Sequence, residues 1–254
     1  MLLRKEDAFQ HVLCMSLSES SLEVSAIKRD TKTISFHQSL TFEDFNREAV
    51  QAAMTIPELT YDYEAFCATA GGMRNTLIPV DLFNHTKPED VFKLNYPTPI
   101  DNLDYNRIPE LGIVNIYELP LWMKSLFVIK FPRVKIIHPV TVMLKGVFDQ
   151  PTFSPKIHIH IDENSFYLLI TAKTKLQYFN RFEFTNLADL VYHVLFVLEQ
   201  KEMDQKKMDV CLYGVSSKWA QLSELQGFFA NRIKISDKPE MSDRFLQSKQ
   251  LLCV

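Results

Sequence analysis

The sequence predicts an α/β protein of two related halves, each running βββαβαβ around a mixed sheet. Three observations predict it. A meander of three short strands followed by a helix occurs twice. Each copy leads into further alternating strand and helix candidates, the pattern of a layered α/β unit. The composition suits packed cores: 254 residues, 46% hydrophobic and 23% charged, with only 6 glycines, leave no room for a long flexible tract.

The first meander begins near His11. Residues 12–17 alternate loosely as a strand, and Ser18-Glu19-Ser20-Ser21 is turn chemistry. Residues 22–27 give a second strand, with Leu22, Val24 and Ala26 on one face because alternate strand residues share a side. Arg29-Asp30-Thr31-Lys32 turns the chain again. Residues 33–42 return as a third strand carrying the β formers Ile34 and Phe36, and a short helix over 42–54 starts near Glu43 or Asp44.

The second meander repeats the plan. Residues 156–161 are a strand, Asp162-Glu163-Asn164-Ser165 a turn, 166–172 a strand, Lys173-Thr174-Lys175 a turn and 176–184 a strand. Asn186 then caps a helix with Asp189 in its first turn. Leu187, Leu190, Val191, Val194, Leu195 and Leu198 follow the i, i+3, i+4 spacing of an amphipathic stripe. Ser18 aligns with Asp162 and Leu40 with Phe182, at offsets of 162 − 18 = 144 and 182 − 40 = 142. A unit repeated at a nearly fixed offset argues for duplication.

Each half continues. In the first, 64–70 and 112–117 are expected strands, and 79–83, 87–94 and 121–129 expected helices. Proline-rich 97–109 is an expected irregular loop. In the second, 208–213 and 232–236 are expected strands with a helix over 217–229 between them. The join is expected at Gln150-Pro151-Thr152-Phe153-Ser154-Pro155, dividing the chain into 1–150 and 151–254.

Three stretches carry a resemblance: Asn75-Thr76-Leu77-Ile78-Pro79-Val80-Asp81-Leu82-Phe83, Tyr178-Phe179-Asn180-Arg181-Phe182 with Asp189-Leu190-Val191-Tyr192-His193, and Leu212-Tyr213-Gly214. With the doubled topology, they resemble an uncharacterised bacterial domain-of-unknown-function family with a duplicated actin-like ATPase, ribonuclease-H-like fold. The layout is also similar to the actin-like proteins of pilus assembly, which act through partners. The resemblance implies the fold, a cleft between the halves, and no established activity.

An actin-like ATPase holds phosphates with two tight hairpins, each normally bearing an acid and a glycine so that backbone N–H groups can approach. Ser18-Glu19-Ser20-Ser21 and Asp162-Glu163-Asn164-Ser165 both lack the glycine. Asp162 and Ser165 are the phosphate-side candidates. In Val210-Cys211-Leu212-Tyr213-Gly214-Val215-Ser216, Gly214 and Ser216 look like a worn form of the glycine motif that meets adenosine. Gly71-Gly72 reads as a turn. His158, His160 and Asp162 form an HxHxD string that a strand would aim to one side, a set suited to zinc or iron. A half-exposed strand face is the plainer reading, and no metal site is assigned. No Walker loop, GxGxxG or G-x-S-x-G occurs, and no catalytic residue is assigned.

Net charge of −3 without a basic stripe argues against nucleic acid. Cys14, Cys67, Cys211 and Cys253 form no CxxC pair and read as free thiols of a reducing compartment. The N-terminus lacks a signal-peptide core and no stretch is long enough to span a bilayer, so a cytoplasmic location is expected. Trp122 and Trp219 are candidates for an exposed partner groove, with a core position the default. The tail over 241–254, with Phe245, Leu246, Leu251 and Leu252, is a candidate docking helix, onto its own fold or onto a partner. The leading functional reading is a non-catalytic actin-like interaction or scaffold protein with a degenerate nucleotide cleft, no cofactor and an unknown protein partner. The alternative is an ATPase or sugar-kinase-like enzyme that takes Mg-ATP on an altered phosphate loop. A metal-dependent hydrolase built on the histidine string is the third.

Overall fold

A computed structural model describes residues 3–70, 74–149, 153–162, 164–214, 227–229, 233–235 and 244–254. Gly71-Gly72, Ser216, most of the helix expected over 217–229 and part of the expected join lie outside the described residues. Contacts divide the chain into two compact units, one of Met1–Gly146 with Leu246–Val254 and one of Val147–Phe245. The last nine residues thus pack with the first unit, whereas the sequence reading assigns them to the second.

In the first unit, β1 (His11–Leu17), β2 (Ser21–Lys28) and β3 (Ile34–Thr41) form an antiparallel meander, and α1 (Arg47–Ala53) follows. β4 (Ala65–Thr69) pairs parallel to β1 and β8 (Lys135–Ile137) parallel to β4, giving the order β3-β2-β1-β4-β8. Strand alternation sorts the faces. Leu13, Met15, Leu17, Leu22, Val24, Ala26 and Ala68 face a core with Val50 of α1 and with Met123, Leu126 and Phe127 of α4 (Leu121–Lys130). Trp122 lies half-buried against that core, edge-on to Phe45.

The second unit repeats this. β9 (Lys156–Ile161), β10 (Ser165–Ala172) and β11 (Lys175–Glu183) form the meander, and α6 (Leu187–Gln200) follows. β12 (Asp209–Gly214) and β13 (Ile233–Ile235) add in parallel, giving β11-β10-β9-β12-β13. The apolar stripe of α6 supplies Leu190, Val191, Val194, Val197 and Leu198 to a core with Ile157, Ile159 and Ile161. Asn186 accepts from the Asp189 N–H, the cap expected from sequence, and the Asp189 carboxylate accepts from the Asn186 N–H, a return bond that the sequence reading did not anticipate.

The repeat holds residue by residue. Leu17 pairs with Leu22, and Ile161 with Phe166; Ser16 pairs with Thr69, and His160 with Tyr213. Each equivalent position lies 144 residues on (161 − 17, 166 − 22, 160 − 16, 213 − 69). Both second strands shift register at the same place, between Ala26 and Ile27 and between Ile170 and Thr171. The third strand carries a 142-residue offset on both sides of that bulge (182 − 40 and 176 − 34).

The first half differs from the reading in two regions, over 75–118 and over 135–148. The expected strand over 112–117 is β7 (Ile113–Glu118), the centre of a separate three-stranded antiparallel sheet. Its neighbours are β5 (Asn75–Pro79) and β6 (Leu103–Ile108), the latter inside the segment expected to be an irregular loop. The fifth strand of the main sheet is the three-residue β8, for which no expectation was set. With α2 (Val80–His85) and α3 (Pro88–Asn95), the extra sheet buries Ile78, Phe92, Val114 and Ile116 in a core of its own. It is tied to α5 (Pro139–Phe148) by buried polar side chains: Asn115 donates to Thr141 at 3.1 Å, and Thr141 donates to Asn106 at 3.1 Å.

Candidate functional site

The β1–β2 turn has no glycine, and its backbone is closed on itself. The Ser18 N–H donates to the Ser21 carbonyl at 2.9 Å. The Ser18 hydroxyl oxygen accepts from the N–H groups of Ser20 at 3.3 Å and Ser21 at 3.0 Å, and donates to the Ser21 carbonyl at 3.2 Å. A phosphate cradle needs such N–H groups aimed outward. Here a serine side chain already takes two of them.

The β9–β10 turn repeats the frame. The Asp162 N–H donates to the Ser165 carbonyl at 2.8 Å, and Phe184 N–H to the Asn164 carbonyl at 3.1 Å, as Phe42 does to Ser20. Asp162 is exposed. Ser165 is buried, and its hydroxyl accepts from the Arg181 guanidinium at 2.9 Å. Asp162 thus begins the turn and Ser165 opens β10 on its far side.

Gly214 ends β12 at φ +104, a conformation that side chains rarely adopt. A Cβ there would lie 1.9 Å from the Ile161 carbonyl oxygen. The glycine is therefore required by the close approach of β12 to β9, whether or not a ligand ever comes near. Its equivalent in the first unit, at 214 − 144, is Ala70.

His158 and His160 sit on the sheet face opposite the α6 core, as strand alternation requires. His158 is buried and stacks on Tyr213, with Nδ1 3.0 Å from the Tyr213 hydroxyl and Nε2 3.2 Å from the Thr171 hydroxyl. Burial, assisted by Lys156, pushes its pKa down to about 3, so the ring is neutral. His160 meets the edge of Tyr167, and burial lowers it to about 4 against the opposing pull of Asp162. Its Nδ1 is buried with no hydrogen-bond partner among the described residues. With both nitrogens of His158 engaged by hydroxyls, the string does not form a ligand set, and no group of three metal-ligating side chains occurs among the described residues. Burial raises the thiols of Cys14 and Cys67, and that of Cys253 to about 11, which leaves all three protonated.

In the first unit, the row equivalent to Tyr213–His160–Tyr167 is Thr69–Ser16–Glu23, at the carboxyl ends of β4 and β1. The chain's own C-terminal segment covers it. Gln250 is fully buried, and its amide donates to the Met15 carbonyl at 3.2 Å, the Ser16 hydroxyl at 2.8 Å and the Thr69 hydroxyl at 3.2 Å. Gln247 donates to the Glu23 carboxylate. The apolar tail candidates were legible in sequence; the two glutamines between them were not, since nothing local distinguishes a buried amide from a solvated one.

A protein-family model described as "Protein of unknown function (DUF3822)" matches residues 4–231. The chain belongs to the DUF3822 family. A search of the curated proteins finds no match. Among solved structures, this DUF3822 chain is similar to a protein of unknown function with an actin-like ATPase fold from Bacteroides thetaiotaomicron, at TM-score 0.82 and 19% identity over 100% of both chains. It is similar to a structure titled as the PilM–PilN type IV pilus biogenesis complex, at TM-score 0.67 and 11% identity over 95% of this chain and 97% of the other. It is also similar to the ethanolamine utilization protein EutJ from Carboxydothermus hydrogenoformans, at TM-score 0.55 and 8% identity over 94% and 89%. At these identities the likeness establishes the fold. The DUF3822 chain has the duplicated actin-like ATPase fold, and no helix among the described residues is long and apolar enough to cross a membrane.

Proposed function

We propose that this protein is a non-catalytic actin-like interaction or scaffold protein of the cytoplasm, working through a protein partner and without nucleotide. The observation that carries this reading is the closed serine turn. The Ser20 and Ser21 N–H groups, which would have to meet a phosphate, are satisfied by the Ser18 hydroxyl. A phosphate would have to break those bonds and supply their replacement without a glycine to let it close in. Gly214, the worn form of the motif that meets adenosine, has a sufficient reason in the β12–β9 approach. Support for a partner comes from the likeness to a protein solved within a type IV pilus biogenesis complex. Support for the cytoplasm comes from four free cysteines.

A thermal-shift titration with Mg-ATP and Mg-ADP, run beside a phosphate-release assay, tests the reading. The expected result is no shift at millimolar nucleotide and no release above background. A ligand at about 100 times its dissociation constant would stabilise the fold by roughly 2.7 kcal/mol and move the midpoint visibly. Such a shift, lost in Asp162→Ala, would instead support the Mg-ATP enzyme.

A further inference from the structure

In open α/β sheets, ligands meet the protein beyond the carboxyl ends of the parallel strands. In the first unit, the carboxyl ends of β1 and β4 carry the polar row Glu23, Ser16 and Thr69. The groups presented there are a carboxylate, two hydroxyls and the Met15 carbonyl, so the row is rich in acceptors and suits N–H donors rather than anions. α7 (Phe245–Lys249) and the turn over Gln250–Cys253 supply those donors from Gln247 and Gln250. Around the amides, Leu251 and Val254 pack on Val12, Cys14 and Ile27, while Leu246 and Cys253 pack on Cys67, Ile137 and Val142. The fit has one defect: the Gln250 Oε1 is buried with no partner among the described residues. A stranded buried acceptor is costly. A segment that offered N–H donors there without a stranded carbonyl would hold the same row without that cost.

We propose that the Glu23–Ser16–Thr69 row is a peptide-docking site, and that residues 244–254 are its tethered, displaceable occupant. The partner chemistry it fits is an apolar segment with a donor-bearing side chain at its centre. Tethering explains how an imperfect ligand can keep the site filled, because a linked segment is present at high effective concentration. This deepens the interaction reading and rests on it for the existence of a partner.

The test uses the full chain with a protease recognition sequence inserted between Asp243 and Arg244, cut after folding. A fluorescein-labelled peptide of residues 244–254 is then added, and anisotropy is followed. The expected result is saturable uptake by the cut protein, none by the uncut protein, and at least about tenfold weaker uptake of the Gln250→Ala peptide, which lacks the amide that meets Met15, Ser16 and Thr69. Uptake by the uncut protein, equal binding of the Gln250→Ala peptide, or no exchange in a day would each overturn the proposal. So would collapse of the protein on cutting, which would make the tail a fixed part of the core. Nucleotide binding by the uncut chain would contradict the proposed function and leave the peptide result standing.

Discussion

Gly214 shows how a residue can be noticed in sequence for one reason and required in the fold for another. A glycine after a strand invites a ligand reading. Its φ of +104 and the Ile161 carbonyl in the space of a Cβ give a backbone reason. Gly214→Ala should therefore destabilise the second unit by about 2 kcal/mol or more, from strain and the forced displacement of β9. A midpoint at least about 4 °C lower in thermal unfolding checks it. The histidine pair gives a second prediction. His158 and His160 are held neutral by burial, down to about 3 and about 4, whereas an unfolded histidine titrates near 6.5. Below about pH 6.5 the unfolded chain therefore binds protons that the folded chain refuses, and stability falls with pH through that window. The unfolding midpoint should drop from pH 7 to pH 4.5, with a shallower slope in a His158→Gln, His160→Gln double variant. The HxHxD pattern was plain in sequence. That Tyr213 and Thr171 would engage both nitrogens of one ring was not, because those partners lie 55 and 13 positions away.

Elements with their own punctuation were readable, and those defined by their neighbours were not. The α6 helix carries its cap and stripe in its own sequence, and both are present. Asn186→Ala should cost about 1 kcal/mol, a fall in unfolding midpoint of about 2–4 °C. The two meanders were readable because each strand alternates between polar turns. β8 was missed because three residues hold no period; it is a strand only because β4 lies alongside it. β6 was obscured by Pro97, Pro99 and Pro109, yet those prolines flank it and leave 103–108 free to pair with β7. β7 was found but placed in the wrong sheet. Hydrophobic alternation marks a strand without naming its partner.

At the scale of the molecule, the duplication organises the rest. Equivalent rows of the two sheets have diverged into different chemistry: Tyr213, His160 and Tyr167 in one, Thr69, Ser16 and Glu23 in the other. Neither of the equivalent turns carries a glycine of the kind that phosphate binding uses, and one closes its N–H groups onto a serine. The absence of glycine was legible in sequence; the serine closure needed the three-dimensional turn. We propose that the actin-like fold is kept here without a nucleotide. Isothermal titration calorimetry of the full chain with Mg-ATP, wild type beside Asp162→Ala, tests it most directly. Only heats of dilution are expected for both proteins. A saturable isotherm in the wild type that disappears in Asp162→Ala would contradict it and make the second hairpin a working phosphate site.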